Sequence, residues 1–434
     1  MDHKIVIVGG GAGGLELAAR LGRQFGPARV FLIDRDETHI WKPSLHEVAS
    51  GTLDIHREGL SFMMLAKERN FTFVPGNVTH VDRERHCVQI APYYSAQGQL
   101  VFDARELSYN TLILAVGSKS NFFGTPGAEE HGISLDSTAQ AEHFRQQMLH
   151  ELAAIARQRE QNVSPEPVLH IGIVGGGATG VELAAELLEA INGLTFYGTR
   201  NIDPKKNVKI TLLEGADRIL SALPERMSVA AHGLLIERGI DVKTSIKVAR
   251  VGPDSVEDDQ GRVYPVNLCV WAAGIQAPQF LTELGLPTNR INQLVVDEYL
   301  RTPDPDVFAM GDCAQAPWLG SDGTLPARAQ VAHQQAAYLA KVVAGRVSNG
   351  PPHSKPFRYK DYGSLVSVGH SRGVGSLMGV LAGKSLFVEG LLARIMYMSL
   401  HLMHHLAVLG FWRTASLAMG RLLLKRSTPR VKLH

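Results

Sequence analysis

Read for its alternation of apolar and polar positions, the chain is a series of short apolar runs that break on glycine and pass into helical periodicity. "KIVIVGGGAGGLELAARL" opens with the strand-like run 5–8, meets a glycine cluster and continues with Leu15, Leu17, Ala18 and Leu21 at helical spacing. "HIGIVGGGATGVELAAEL" repeats the pattern 166 residues later. "RVFLID" and "VKITLLE" read as the strands that follow, while "LILAVGS" (112–118), "CVWAAGI" (269–275) and "DVFAMGDCAQ" read as strands running into small-residue loops. Strand, glycine turn, helix and strand, written twice, predict an α/β protein with two Rossmann-type units. The polar stretch 192–207 reads as a surface loop inserted in the second unit.

Each glycine turn carries a G-x-G-x-x-G spacing: Gly9, Gly11 and Gly14, then Gly175, Gly177 and Gly180. The first glycine permits the sharp turn, the second lets backbone approach a pyrophosphate, and the third lets helix pack on strand. The helix N-terminus then offers free N–H groups to phosphate. Asp34 and Glu214 end the following strands, where a carboxylate meets a ribose. Two dinucleotide sites imply a resident flavin and a visiting nicotinamide. Glu214 disfavours a 2′-phosphate and so points to NADH, with Arg218 near enough to keep NADPH open. Gly311 and Asp312, at the end of the last strand, fit a late flavin motif.

Charge and composition change the picture at the C-terminus. The 434-residue chain carries a net +2, yet seven cations and no carboxylate follow Glu389, so the body before it is net acidic. Residues 395–412 hold no Asp, Glu, Lys or Arg. Arg394, His401 and His405 recur at helical spacing among apolar neighbours; beyond Gly410, Arg413, Ser416, Arg421 and Lys425 share one face, with Trp412, Leu417, Leu422, Leu423 and Leu424 turned away. An acidic body with a basic, apolar tail fits a membrane surface before it fits nucleic acid. Arginine and histidine disfavour a bilayer span and favour a pair of in-plane amphipathic helices, a buried or dimer interface being the alternative.

The three cysteines, Cys87, Cys269 and Cys313, form no C-x-x-C and no metal-ligand spacing. Sparse cysteine and an N-terminal apolar run too short for a signal peptide place the body in the cytoplasm. The stretch 39–51, where a disulfide reductase of this architecture keeps its redox cysteines, has none, which argues against thiol-based reductases and sulfide oxidation. Cys313 reads as a packed small residue. Electrons must leave from the flavin itself, and the tail makes sense if the acceptor is dissolved in the membrane.

The stretches "IWKPSLHEVASGTLD", "GSKSNFFGTPG", "GVELAAEL", "WAAGIQAP", "AMGDCA", "ARAQVAHQQAAYLA", "YKDYGSL" and the tail "RIMYMSLHLMHH", "GFWRTA" and "TPRVKLH" together resemble the type II NADH:quinone oxidoreductases, in their bacterial form, over essentially the whole chain. The resemblance implies non-covalently bound FAD, NADH as co-substrate, ubiquinone or menaquinone as acceptor, a homodimer, and peripheral attachment to the cytoplasmic face of the inner membrane. Hydride would pass from nicotinamide C4 to flavin N5, then two electrons to quinone, without proton pumping. Gly9, Gly11, Ala12, Gly13, Asp34, Lys42, Ala115, Gly117 and Asp312 match flavin-contacting positions; Gly177, Thr179, Gly180, Glu214 and Gly274 match the nicotinamide side. Glu182 matches an acidic residue near the flavin ring, Gln330 and Gln334 the glutamines at the flavin–quinone boundary, and Lys384 a lysine near the quinone. His333 and Gln335 read as a solvated polar face. The expected division is an FAD-binding part at 1–124 and 285–350, an NADH-binding domain at 125–284, and a C-terminal domain at 351–434 with short strands and membrane-docking helices. Two rivals stay open: a soluble flavin reductase with a protein acceptor, and a membrane-tethered redox sensor.

Overall fold

Ile5–Val8 is buried at every residue because it is the central strand of a five-stranded parallel sheet. Thr111–Leu114 and Val30–Asp34 flank it, with Val307–Ala309 and Thr72–Pro75 at the edges. Leu169–Val174 holds the same place in a second parallel sheet, between Leu268–Trp271 and Val208–Leu213, with Gly132–Ser134 and Asp241–Lys243 at the edges. Covered on both faces, such strands are apolar without alternation, which is why they stand out in the sequence. The structure, a computed structural model, describes residues 3–95, 97–161, 166–197, 202–348, 350, 353–368, 373–377, 386–389, 399 and 402–424.

The duplication goes further than the glycine turns. Each unit adds a three-stranded antiparallel sheet: Val78–Asp82, Cys87–Ile90 and Arg105–Ser108 in the first, Val248–Val251, Ser255–Asp258 and Val263–Pro265 in the second. The second parallel sheet is drawn from one continuous stretch, whereas the first is completed by Val307–Ala309, which follows the whole second unit. A third three-stranded antiparallel sheet, Gly363–Ser367, Gly373–Leu377 and Leu386–Glu389, follows both in sequence.

Four helices position the site: α1 (Ala12–Phe25), α2 (Leu45–Ser50), α3 (Ala178–Tyr197) and α4 (Ala329–Val347). Ile5, Ile7, Leu15, Leu32, Ile113 and Phe308 are fully buried in the first core, where α1 meets α4. Each such side chain contributes about 1.5–3 kcal/mol on burial. α2, although it precedes the second unit in sequence, packs Leu45, Val48 and Ala49 into that unit's core. The stretch 192–207 is not the surface loop expected. α3 runs on to Tyr197, and Pro204–Asn207 forms a helical turn. Asp203 caps it by accepting from the Lys205 N–H, with Pro204 at its first position. Asn207 is buried and donates to the Pro167 carbonyl at 3.0 Å.

The tail forms helices at 402–409 and Phe411–Leu424, broken at Gly410. Its apolar side chains point outward, as membrane-docking helices require, but His405, read on the polar face, is turned inward. His404 and His405 are buried with Val408 and Leu409, while Met403, Leu406, Phe411, Trp412, Leu417 and Met419 are exposed. Arg413 does not face outward alone; it is ion-paired with Glu68. Arg394, His401 and Lys425 lie outside the described residues, as does Lys384. Among the described residues no helix is long and apolar enough to cross a membrane.

Candidate active site

Both glycine turns are built alike. Gly9 and Gly175 have φ of +103° and +111°, and a Cβ there would lie 2.3 Å from the Ala115 carbonyl oxygen or 2.7 Å from the Ala272 carbonyl carbon. A Cβ on Gly14 would sit 1.9 Å from the Gly9 oxygen, and one on Gly180 1.9 Å from the Gly175 oxygen. At Gly11 and Gly177 a Cβ would meet nothing within 4 Å. The first and third glycines are therefore demanded by the protein's own packing. The second faces open space at a helix N-terminus, the cradle a pyrophosphate fits. Ala12, Gly13 and Thr179 stand in the opening turns of α1 and α3 at these mouths.

The acids that end the next strands close each loop. Asp34 accepts from the Gly10 N–H at 2.5 Å and the Asp36 N–H at 2.9 Å. Glu214 accepts from the Gly176 N–H at 2.5 Å and the Ala216 N–H at 2.7 Å. Burial pushes the Asp34 carboxyl above its ordinary range, against the two N–H groups that hold its charged form. A carboxylate oxygen accepts more than one bond, so both acids can still take a ribose hydroxyl. Arg218 is spent elsewhere: it donates to the carbonyls of Leu220, Ser221 and Leu223 at 3.4, 2.8 and 3.1 Å. The arginine that kept a 2′-phosphate open is tied into its own loop.

The far end of the first cradle is a polar chain. Lys42 donates to the Ser118 carbonyl at 2.5 Å and stands 3.6 Å from Asp136. Ser118 donates from its hydroxyl to Asp312 at 2.9 Å. Ala115 and Gly117 lead from the strand Thr111–Leu114 into this chain, and Gly274 occupies the matching crossover after Leu268–Trp271. The Gly311 N–H donates to the Gln335 side-chain oxygen at 2.7 Å. Gln335 is buried, not solvated, and the signal was present: it shares the apolar stripe of α4 with Val331 and Leu339. His333 stays partly exposed, but its Nδ1 is engaged at 2.7 Å from Glu16. Cys313 is fully buried, its thiol 3.4 and 3.2 Å from the carbonyls of Leu114 and Met310, and burial pushes it up to about 11. It is a packed side chain, as expected.

Gln330 and Gln334 share one face of α4 and grip one segment. Gln330 accepts from the Tyr359 hydroxyl and from the Tyr362 N–H; Gln334 donates to the Lys360 carbonyl at 2.8 Å and accepts from its N–H at 3.0 Å. Glu182, on the buried side of α3, accepts from the Ser367 N–H at 3.0 Å, with His46 of α2 at 3.7 Å. Burial, with Glu47 and Glu186 nearby, raises its carboxyl to about 8. Burial also holds His46 below its ordinary value. His46, Glu186 and Ser367 escaped the sequence reading; Glu186 alone left a trace, one helical turn after Glu182 in "GVELAAEL".

Two open glycine cradles, each with its closing acid, on twin parallel sheets define an oxidoreductase that works with two dinucleotides. The family model for pyridine nucleotide-disulphide oxidoreductases matches residues 3–336. A type II NADH:quinone oxidoreductase of Haemophilus influenzae is 39% identical, with 99% of each chain covered, and that of Mycobacterium tuberculosis is 29% identical over 92% of this chain and 84% of its own. The chain belongs to the type II NADH:quinone oxidoreductase family. Among solved structures, NDH2 from Plasmodium falciparum in complex with NADH superposes with a TM-score of 0.81 at 20% identity, covering 99% of both chains. The sulfide:quinone oxidoreductase of Aquifex aeolicus shares the fold at a TM-score of 0.70 and 18% identity, over 98% of this chain and 95% of that one.

Proposed function

We propose that the protein oxidises NADH at a bound FAD and reduces a lipid quinone, ubiquinone or menaquinone, without moving protons across the membrane. The observation that carries this reading is the pair of open glycine cradles joined to a tail that turns His404 and His405 inward and Met403, Leu406, Phe411, Trp412, Leu417 and Met419 outward. FAD, when bound, supplies the hydride acceptor for nicotinamide and the two-electron donor for quinone. Gly9, Gly11, Ala12, Gly13 and Gly14 hold its pyrophosphate, Asp34 its ribose, and Lys42, Ala115, Gly117, Gly311 and Asp312 its other half. Gly175, Gly177, Thr179, Gly180, Glu214 and Gly274 hold NADH. Glu182, which keeps its proton up to about pH 8, holds that proton beside His46 and the Ser367 N–H for delivery toward quinone. Gln330 and Gln334 fix the segment 359–362 as a wall of the quinone side, and Lys384 is assigned to the same pocket by resemblance.

The outward Met403, Leu406, Phe411, Trp412, Leu417 and Met419 are the side chains of a helix pair lying in a bilayer surface, on the cytoplasmic face of a bacterial inner membrane, in a protein that acts as a homodimer. Anaerobic stopped flow at the flavin absorbance tests the reaction. NADH should bleach the flavin and a short-chain quinone should restore it. Bleaching without restoration would point to a protein acceptor, and no bleaching to a sensor.

A further inference from the structure

His39 and His404 are buried, and the proposed reaction uses neither. His39 Nδ1 lies 2.9 Å from the carbonyl oxygen of Gly10, and its Nε2 lies 2.8 Å from Nε2 of His404. A carbonyl oxygen only accepts, so the His39 proton is on Nδ1. Nε2 of the neutral ring is then an acceptor, and His404 donates to it. One backbone carbonyl thus sets the tautomer of two rings 365 residues apart. Burial holds the His39 pKa down to about 4, against the Gly10 carbonyl that favours its charged form, so the ring is neutral near pH 7.

Gly10 is the residue inside the first cradle whose N–H is held by Asp34. A Cβ on it would lie 2.5 Å from the Phe62 ring, so the residue is fixed from its N–H, its carbonyl and its α-carbon. His404 rides on the helix 402–409, which also sends Val408 and Leu409 into the core under the first sheet. The polar line therefore runs from Asp34 through Gly10 and His39 to the tail.

We propose that the His39–His404 pair is a positioning device that makes seating of the tail helix a condition for tight flavin binding. The inference rests on the reading of the first cradle as the FAD site. With the tail seated, the Gly10 peptide is held in the orientation that leaves the neighbouring N–H groups of Gly11 and Ala12 turned toward the pyrophosphate. With the tail lifted, His39 loses its donor and the peptide loses its hold. Linkage makes the coupling reciprocal: FAD should hold the tail down by the same factor by which the tail tightens FAD.

The test uses the full chain in detergent, stripped of flavin and titrated with FAD by fluorescence. His404→Leu should weaken FAD about tenfold, the cost of one buried hydrogen bond left unmade. His404→Gln, whose amide N–H can replace the imidazole donor, should restore most of that loss. FAD should protect amides 402–409 from exchange in the wild type and His404→Gln but not in His404→Leu. NADH binding at the second cradle reports that each variant has folded. Equal FAD affinity in wild type and His404→Leu, or equal loss in Leu and Gln variants, would overturn the coupling while leaving the FAD reading intact. Failure of the wild type to bind FAD would instead remove the reading on which it rests.

Discussion

Glu16 and Glu182 stand at the same turn of the two repeats, each seven residues after the first glycine, in opposite electrostatic settings. Glu16 is buried with Arg20 at 2.6 Å and His333 at 2.7 Å. Glu182 is buried against His46, near Glu47 and Glu186, with a single backbone N–H at 3.0 Å. Duplication supplied the position twice; the neighbours make one a structural ion pair and the other a proton holder. Glu16→Gln should cost about 1–3 kcal/mol of stability, read by denaturant unfolding.

Glu182→Gln mimics the protonated acid and should carry none of the pH dependence that the carboxyl gives the wild type. Because the folded pKa of Glu182 is raised to about 8, its contribution is full below its ordinary value of 4.5 and is lost as pH rises through 8. Wild type should therefore lose stability relative to Glu182→Gln over that window. Quinone reduction should slow by about a hundredfold while FAD stays bound. Unchanged steady-state rates would remove the proton-holding role.

His39 gives the opposite slope. Its pKa is depressed to about 4, so its neutral form is fully stabilising above about pH 6.5, and that stability is lost as pH falls toward 4. Acid unfolding of the wild type should therefore start in this range and be shallower in His39→Gln. Identical acid profiles would show that His39 is not the group that titrates.

Arg218 is committed to three carbonyls, so removing the charge at Glu214 does not by itself create a phosphate site. Glu214→Ala should lower kcat/KM for NADH by about tenfold, since the ribose acceptor and the Gly176 anchor are both lost, and should gain little with NADPH. A variant that prefers NADPH would mean that Arg218 can leave its loop.

The exposed tail side chains should enter lipid. Trp412 is 81% exposed, so its emission should shift to the blue on adding anionic vesicles. Phe411→Asp with Trp412→Asp should abolish vesicle binding and leave bleaching of the flavin by NADH intact. Vesicle binding that survives both changes would put the lipid contact elsewhere.

The parallel strands and both cradles were legible because their causes are local. A buried strand must be apolar throughout, and Gly9 and Gly14 answer contacts made within a few residues or by one neighbouring strand. The tail was legible as a pair of helices with outward apolar side chains, but not in the burial of His404 and His405. A periodic stripe says that a helix has two faces; which one meets protein depends on Gly10 and His39, more than 360 residues away. Gln335 was missed for a related reason. Its polarity suggested water, while its place on the stripe with Val331 and Leu339 marked it as buried, and its partner was the distant Gly311 N–H. The cluster around Glu182 depends on α2 crossing to the second unit, a packing choice that no local pattern records.

The edge strand Val307–Ala309 has a consequence for how the chain is made. During synthesis the second sheet, continuous from Gly132 to Trp271, has all its strands before the first sheet has its fifth. The N-terminal strands must wait, four-fifths assembled and with an open edge beside Thr111–Leu114, until the last strand leaves the ribosome. A chain released after ending between residues 285 and 306 should therefore be able to hold NADH but expose a sheet edge, the state in which a chaperone is most needed.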